Sequence, residues 1–293
     1  MSALPFARTL ALGAIAGVTI FIGLPLGRMR KLGPRVRLAL AMLSVGILAF
    51  IFVDVASHGI ALIEERLLAY RHGHGGLLSV IGLFALLCGG FAAGAVGIGS
   101  AERTLRRGPR RMRPLAGGSL QVLAEPRDSP LRTSQAQAAE RAHAEALRTG
   151  MTVAAAIGLH NFAEGLAIGV SAATGSVALA TVLVIGFAAH NATEGFGIVG
   201  PLGGVRPSWR WLAGAGAVGG GPTFLGTLIG YQVDSAALEL LFYALAAGAL
   251  IFVIGEIWSA MRRFGHRELA LAMLSVGFLL GVATDLIVTY GGA

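Results

Sequence analysis

Long apolar runs separated by short polar stretches dominate the chain. They fall near 7–26, 36–58, 77–99, 150–171, 176–199, 211–231, 238–260 and 268–290. Each is close to the roughly 20 residues that a helix needs to cross a hydrocarbon core of about 30 Å. Inside lipid only a helix or a closed barrel satisfies its own backbone hydrogen bonds. Barrel strands are roughly half as long and alternate in polarity, so unbroken runs of this length are helical. The pattern predicts an all-α integral membrane protein, a bundle of eight transmembrane helices forming a single domain over 1–293. Its one long polar interruption, at about 100–149, divides three helices from five. The first half of that loop is rich in Arg and Pro; the Ala-rich second half, Ser134 to Arg148, reads as a helix leading into the fourth span.

Composition narrows the class further. Only 13% of residues are charged, about half the soluble norm of roughly a quarter. A formal charge of +8 could suggest a nucleic-acid partner, but the placement of the charge argues against one. Of the 23 Lys and Arg residues, all except Arg8, Arg66 and Arg71 fall on one side of the predicted membrane. That is the positive-inside bias of membrane topology, so the basic loops, including 100–149, should be cytoplasmic and both termini should face outward. The first apolar run lacks a small-residue cleavage site and reads as a retained span. The lone Cys88 cannot form an intramolecular disulfide, and no phosphate-binding loop for ATP appears.

Chemistry enters through a repeat. Leu159-His-Asn-Phe-Ala-Glu-Gly165 recurs thirty residues later as Ala189-His-Asn-Ala-Thr-Glu-Gly195. The two motifs lie on consecutive helices joined by a tight turn at 172–176, which makes the helices antiparallel and puts both motifs near mid-membrane. His and Glu four residues apart share one helix face. His160, Glu164, His190 and Glu194 therefore offer two imidazoles and two carboxylates to one site, with Asn161 and Asn191 able to ligate or to orient the ligands. Nitrogen and carboxylate donors suit zinc, with cadmium, iron, manganese and cobalt also admissible, whereas calcium and magnesium favour oxygen alone. Ionisable groups at this depth cost roughly 2.5–3.5 kcal/mol each on insertion scales, which a bound cation would offset.

Over essentially its whole length the chain resembles the ZIP metal transporters, in their prokaryotic form. The paired His-Asn-x-x-Glu-Gly motifs carry the resemblance. A seventh-helix segment, Ala246 to Glu256, supports it. The resemblance implies a 3+5 arrangement of helices with outward termini and divalent metal uptake, zinc first, into the cytoplasm. It places the protein as a multi-pass component of the cell's inner (plasma) membrane, with metal ions and the bilayer as partners, and leaves a homodimer open. The chain departs from the family in having Ala163 and Thr193 where proline is usual, Thr223 where a ligating Glu is common, and Ile257 after Glu256 where many relatives have an acid.

Outlying polar residues mark a path. Asp54 and His58, four apart near the outer end of the second helix, are candidates for its outer mouth, and Glu256 for its inner end. Asp285 reads as a packing residue, and Gly221-Pro222 as a local helix break. Two other functions are compatible with a metal site. An intramembrane metal-dependent hydrolase would need a general base beyond the ligands, and no His-Glu-x-x-His occurs. A metal sensor without flux differs only in transport. The reading taken is a transporter and not an enzyme, in which protons compete for the imidazoles as metal leaves.

Overall fold

The computed structural model describes residues 4–29, 33–106, 130–173, 177–232 and 235–290, and among them every regular element is helical. Helix α1 runs Phe6–Val18 and continues through Ile20–Gly23 into a 3₁₀ turn at Leu24–Arg28. There follow α2 (Pro34–Arg71), α3 (Leu77–Arg106), α4 (Pro130–Ala173), α5 (Val177–Val199), α6 (Trp209–Gly230), α7 (Ala236–Met261) and α8 (Arg267–Tyr290). Among the described residues, α1 to α4 and α6 to α8 make seven helices long and apolar enough to cross a membrane. Helix α5 has 23 residues, a rise of about 35 Å.

Two helices outrun their apolar segments. The second run ends near residue 58, but α2 continues to Arg71, because Ile60 to Ala69 are helix formers with no Gly or Pro among them. It stops where Gly73 takes φ +79°. The amide of Gly73 then donates to the Tyr70 carbonyl (3.0 Å) and that of His74 to the Ala69 carbonyl (2.8 Å), the paired bonds of a Schellman cap. At the other end, α4 begins at Pro130, so the Ala-rich stretch and the fourth span form one 44-residue helix. Of the expected loop at about 100–149, residues 107–129 lie outside the described residues, as do 174–176 of the expected α4–α5 turn.

The break expected at Gly221-Pro222 does not occur. Helix α6 runs unbroken through Pro222. Proline removes the amide that would bond the carbonyl four residues back, that of Val218. Gly158 on α4 lies against that carbonyl: a Cβ built there would sit 2.2 Å from the Val218 oxygen. A neighbouring helix thus packs where the bond is missing, and the distortion is absorbed without ending the helix.

Helix α4 packs on α6, α3 on α7 and α2 on α8, with α7 also against α2 and α4, and α1 against α5 and α6. The seams are made at glycines. A Cβ on Gly226 would lie 2.0 Å from the Phe162 carbonyl oxygen and one on Gly165 2.1 Å from that of Thr223. The α2–α8 seam pairs Gly46 with Gly277 in the same way, and the α3–α7 seam pairs Gly94 with Gly248. Buried apolar side chains, among them Leu48, Ile157, Ile198, Leu250 and Ile257, fill the centre. Outward-facing leucines and isoleucines such as Leu78 and Ile287 are exposed on the lipid side.

Because the α4–α6 seam is a backbone contact, Gly226→Ala must push the helices apart and is expected to cost about 1–3 kcal/mol. Gly82, whose added Cβ meets nothing within 4 Å, should tolerate the same change within about 0.5 kcal/mol. Unfolding of the two variants in detergent compares them directly, and equal stabilities would contradict the seam.

Candidate metal centre

The two motifs occupy facing stretches of α4 and α5. One helical turn separates His160 from Glu164, so both project from the same side of α4. His160 Nε2 lies 2.9 Å from Glu164 Oε1, and His190 Nε2, arriving from α5, lies 2.5 Å from the same oxygen. The two imidazole rings are 6.4 Å apart, centre to centre. His160 and Glu164 are buried and His190 is half-buried. One potential ligand atom from each of the three lies within 4.8 Å of the others. Tetrahedral zinc, with bonds of about 2.0–2.1 Å, sets its ligand atoms about 3.3 Å apart. Each nitrogen would have to draw back from Glu164 Oε1 by less than about 1 Å to reach that spacing.

Glu194 stands beside this group and not within it. One of its oxygens accepts a hydrogen bond from Asn161 Nδ2 at 3.1 Å, and the same amide donates to the Gly219 carbonyl at 3.0 Å. Gly219 precedes Pro222 by three residues, in the turn whose hydrogen bonding the proline disturbs. Asn191 holds the corresponding place on α5 but turns the other way, its amide donating to the Ala16 carbonyl of α1 at 3.1 Å. The duplicated sequence thus makes an asymmetric site, because α4 has α6 beside it where α5 has α1.

A common chemistry links the polar atoms left over. Both ring nitrogens of His160, Glu164 Oε2, Glu194 Oε1, Asn161 Oδ1, Asn191 Oδ1 and Thr223 Oγ1 are all buried with no hydrogen-bond partner among the described residues. A buried unpaired group costs roughly 1–3 kcal/mol. Here the unpaired atoms are overwhelmingly electron-pair donors, which a cation satisfies and an anion or an apolar ligand does not. Thr193 donates its hydroxyl to the His190 carbonyl (2.7 Å) while its own carbonyl accepts from Ser44 of α2 (3.1 Å).

From this cluster a cavity of about 580 Å³ leads toward the ends of the helices opposite the basic loops. His160, Glu164 and His190 line its floor, and Asp54, His58 and Asp285 line it further out. His58 Nδ1 sits 2.9 Å from the Asp54 backbone carbonyl and 3.6 Å from its carboxylate. Tyr243 also lines the cavity, with its hydroxyl donating to Glu239 at 3.1 Å. Glu256 does not line it. It is half-buried on α7, thirteen residues beyond Tyr243 and so about 20 Å along the helix.

Tyr243 is a cavity residue that sequence reasoning passed over, and Asp285, read from sequence as a packing residue, lines the cavity too. Gly281, Asp285 and Thr289 recur every fourth position on α8, and all three line the cavity. That polar spacing was visible in the sequence; which neighbour it faced was not.

A family model described as ZIP Zinc transporter matches residues 118–285, a stretch that includes both His-Asn-x-x-Glu-Gly motifs. No curated protein matches the chain.

The geometry separates residues within the cluster from those that frame it. Glu164→Gln is expected to weaken zinc or cadmium binding by more than the roughly 10- to 100-fold typical of an orienting residue. Asn191→Ala, whose amide holds α1, should stay at or below about tenfold. Titration calorimetry on the purified variants reads both, and equal losses would overturn the distinction.

Proposed function

The chain belongs to the ZIP zinc transporter family and is a multi-pass membrane transporter of divalent metal ions; we propose that its cargo is zinc, taken up toward the cytoplasm through the cluster on α4 and α5. The observation that carries this reading is the convergence of His160, His190 and Glu164 in the buried floor of a cavity. Nitrogen donors favour zinc, and with it cadmium, iron, manganese and cobalt, over magnesium and calcium.

In this reading the chain is a single domain of eight spans in the cell's inner (plasma) membrane, with both termini outward. The polar stretch at 100–149, which includes the end of α3 and the start of α4, lies on the cytoplasmic side. The excess of arginine at one end of the bundle supports that orientation. Zinc arrives from the end lined by Asp54 and His58, whose carboxylate and imidazole replace part of its water. It then exchanges onto His160, His190 and Glu164. Glu194 and Asn161 stand alongside and steady the charge. Beyond them, toward the basic end, Ile157 and Ile198 are fully buried, so release requires the helices to move apart there. Glu256 lies on that side and receives the ion on its way out.

The imidazoles bind metal only when neutral, so protons compete with zinc and flux should fall as the outer solution is acidified. No His-Glu-x-x-His motif occurs in the chain and its family is one of transporters, so the cluster is read as a transport site and not a catalytic one.

Zinc flux into proteoliposomes tests the proposal, with the wild type compared with the His160→Ala, Glu164→Ala double variant. Saturable zinc or cadmium flux is expected for the wild type, with little magnesium flux and loss of all three in the variant. Tight zinc binding without wild-type flux would instead point to a sensor or a metal-dependent hydrolase.

A further inference from the structure

The opposite, basic end of the bundle holds a second cavity, of about 320 Å³. Arg28, Arg37 and Arg206 line it, together with Met29, Pro34 and Phe264. The three arginines come from the end of α1, the start of α2 and the α5–α6 connection. No carboxylate is among the lining residues.

A backbone carbonyl helps to orient each of Arg28, Arg37 and Arg263. Arg28 donates to the Pro207 carbonyl and stacks over the Trp209 ring at 4.8 Å. Arg37 donates to the Met29 carbonyl at 3.0 Å. Arg263 stands behind the wall at Gly203, where an added Cβ would lie 2.6 Å from its guanidinium, and donates to the Pro201 carbonyl at 3.1 Å. Carbonyls and an aromatic face orient a guanidinium without neutralising it. Each guanidinium has five N–H donors in a planar fork that matches the oxygens of a phosphate. Arg28 and Arg206 form no ion pair among the described residues.

The surroundings say where such a phosphate would come from. Met29, Val36 and Trp209 are exposed around these arginines. Exposed tryptophan and apolar side chains beside arginine mark the depth of lipid headgroups, where basic pockets between helices hold anionic lipids. Water-facing phosphate sites have no need of an apolar rim.

We propose that this cavity is a phosphate-binding site whose occupant is the headgroup of an anionic phospholipid. The phosphate bridges Arg28 and Arg206 to Arg37 and so ties α1, α2 and the α5–α6 connection together at the membrane surface. The site stands on the cavity and its arginines; only the statement that the leaflet is the cytoplasmic one rests on the topology proposed above.

The test is lipid retention by the full-length chain in native mass spectrometry, after incubation with phosphatidylglycerol or phosphatidylcholine. The wild type is expected to retain phosphatidylglycerol preferentially, and Arg206→Gln, which removes an exposed side chain, to weaken that retention about fivefold. Arg28→Gln combined with Arg206→Gln should abolish the preference. The charge-matched control Arg210→Gln with Arg267→Gln, outside the cavity, should leave it intact. A parallel arm follows thermal unfolding with inorganic phosphate: protection of the wild type that phosphatidylglycerol displaces supports the site. Protection by phosphate without any preference for phosphatidylglycerol would overturn the lipid assignment in favour of a soluble ligand. Equal lipid retention by wild type, cavity variants and control would overturn the site altogether. None of these readouts depends on zinc flux, so a failure here is distinct from a failure of the transport reading.

Discussion

Between lipid tails two apolar helix faces gain nothing by leaving water, so the bundle depends on how closely its backbones can approach. Glycine sets that distance. Gly165 against the Thr223 carbonyl and Gly226 against that of Phe162 lock α4 to α6 in a single register, and Gly46 with Gly277 does the same for α2 and α8. Shifting any of these seams by one residue would drive a side chain into a carbonyl. The ligand-bearing stretch of α4 lies within its seam, with Gly158 and Gly165 bracketing His160, Asn161 and Glu164. The contacts that hold the helix are thus the contacts that aim its polar side chains.

That register explains how one motif used twice gives two different halves of a site. Both asparagines donate to a carbonyl on a neighbouring helix, but the neighbour differs. Asn161 reaches Gly219, close to the proline of α6, and with its second hydrogen holds Glu194. Asn191 reaches Ala16 and secures α1. Pro222 disturbs the hydrogen bonding of α6 next to Asn161, and Thr193 links α5 to α2 through its carbonyl.

The two ends of the bundle carry opposite chemistry. At one end Asp54, His58 and Asp285 line a cavity that reaches the His/Glu cluster; at the other, arginines surround a smaller cavity free of carboxylates. A cation is drawn toward the first and repelled from the second, while an anionic headgroup behaves in the opposite sense. The two ends therefore differ in the sign of the charge they offer a ligand.

The sequence by itself determined the helical class, the apolar segments and the identity of the polar residues at mid-span, because lipid tolerates few alternatives and the cost of each ionisable residue makes its presence conspicuous. The repeated His-Asn-x-x-Glu-Gly pattern and the one-sided arginines were legible for the same reason. Only the tertiary structure decided which of these residues meet. Spacing offered Glu164 and Glu194 as equals, yet the packing of α4 against α6 joined Glu164 to both imidazoles and tied Glu194 to Asn161. Asp285 looked like a packing residue until α8 was docked against α2, and Pro222 looked like a break until Gly158 was found against the carbonyl it frees. Periodicity fixes the face of a helix on which a residue lies; the close approach of a second backbone, set by glycines far apart in sequence, fixes what that face sees.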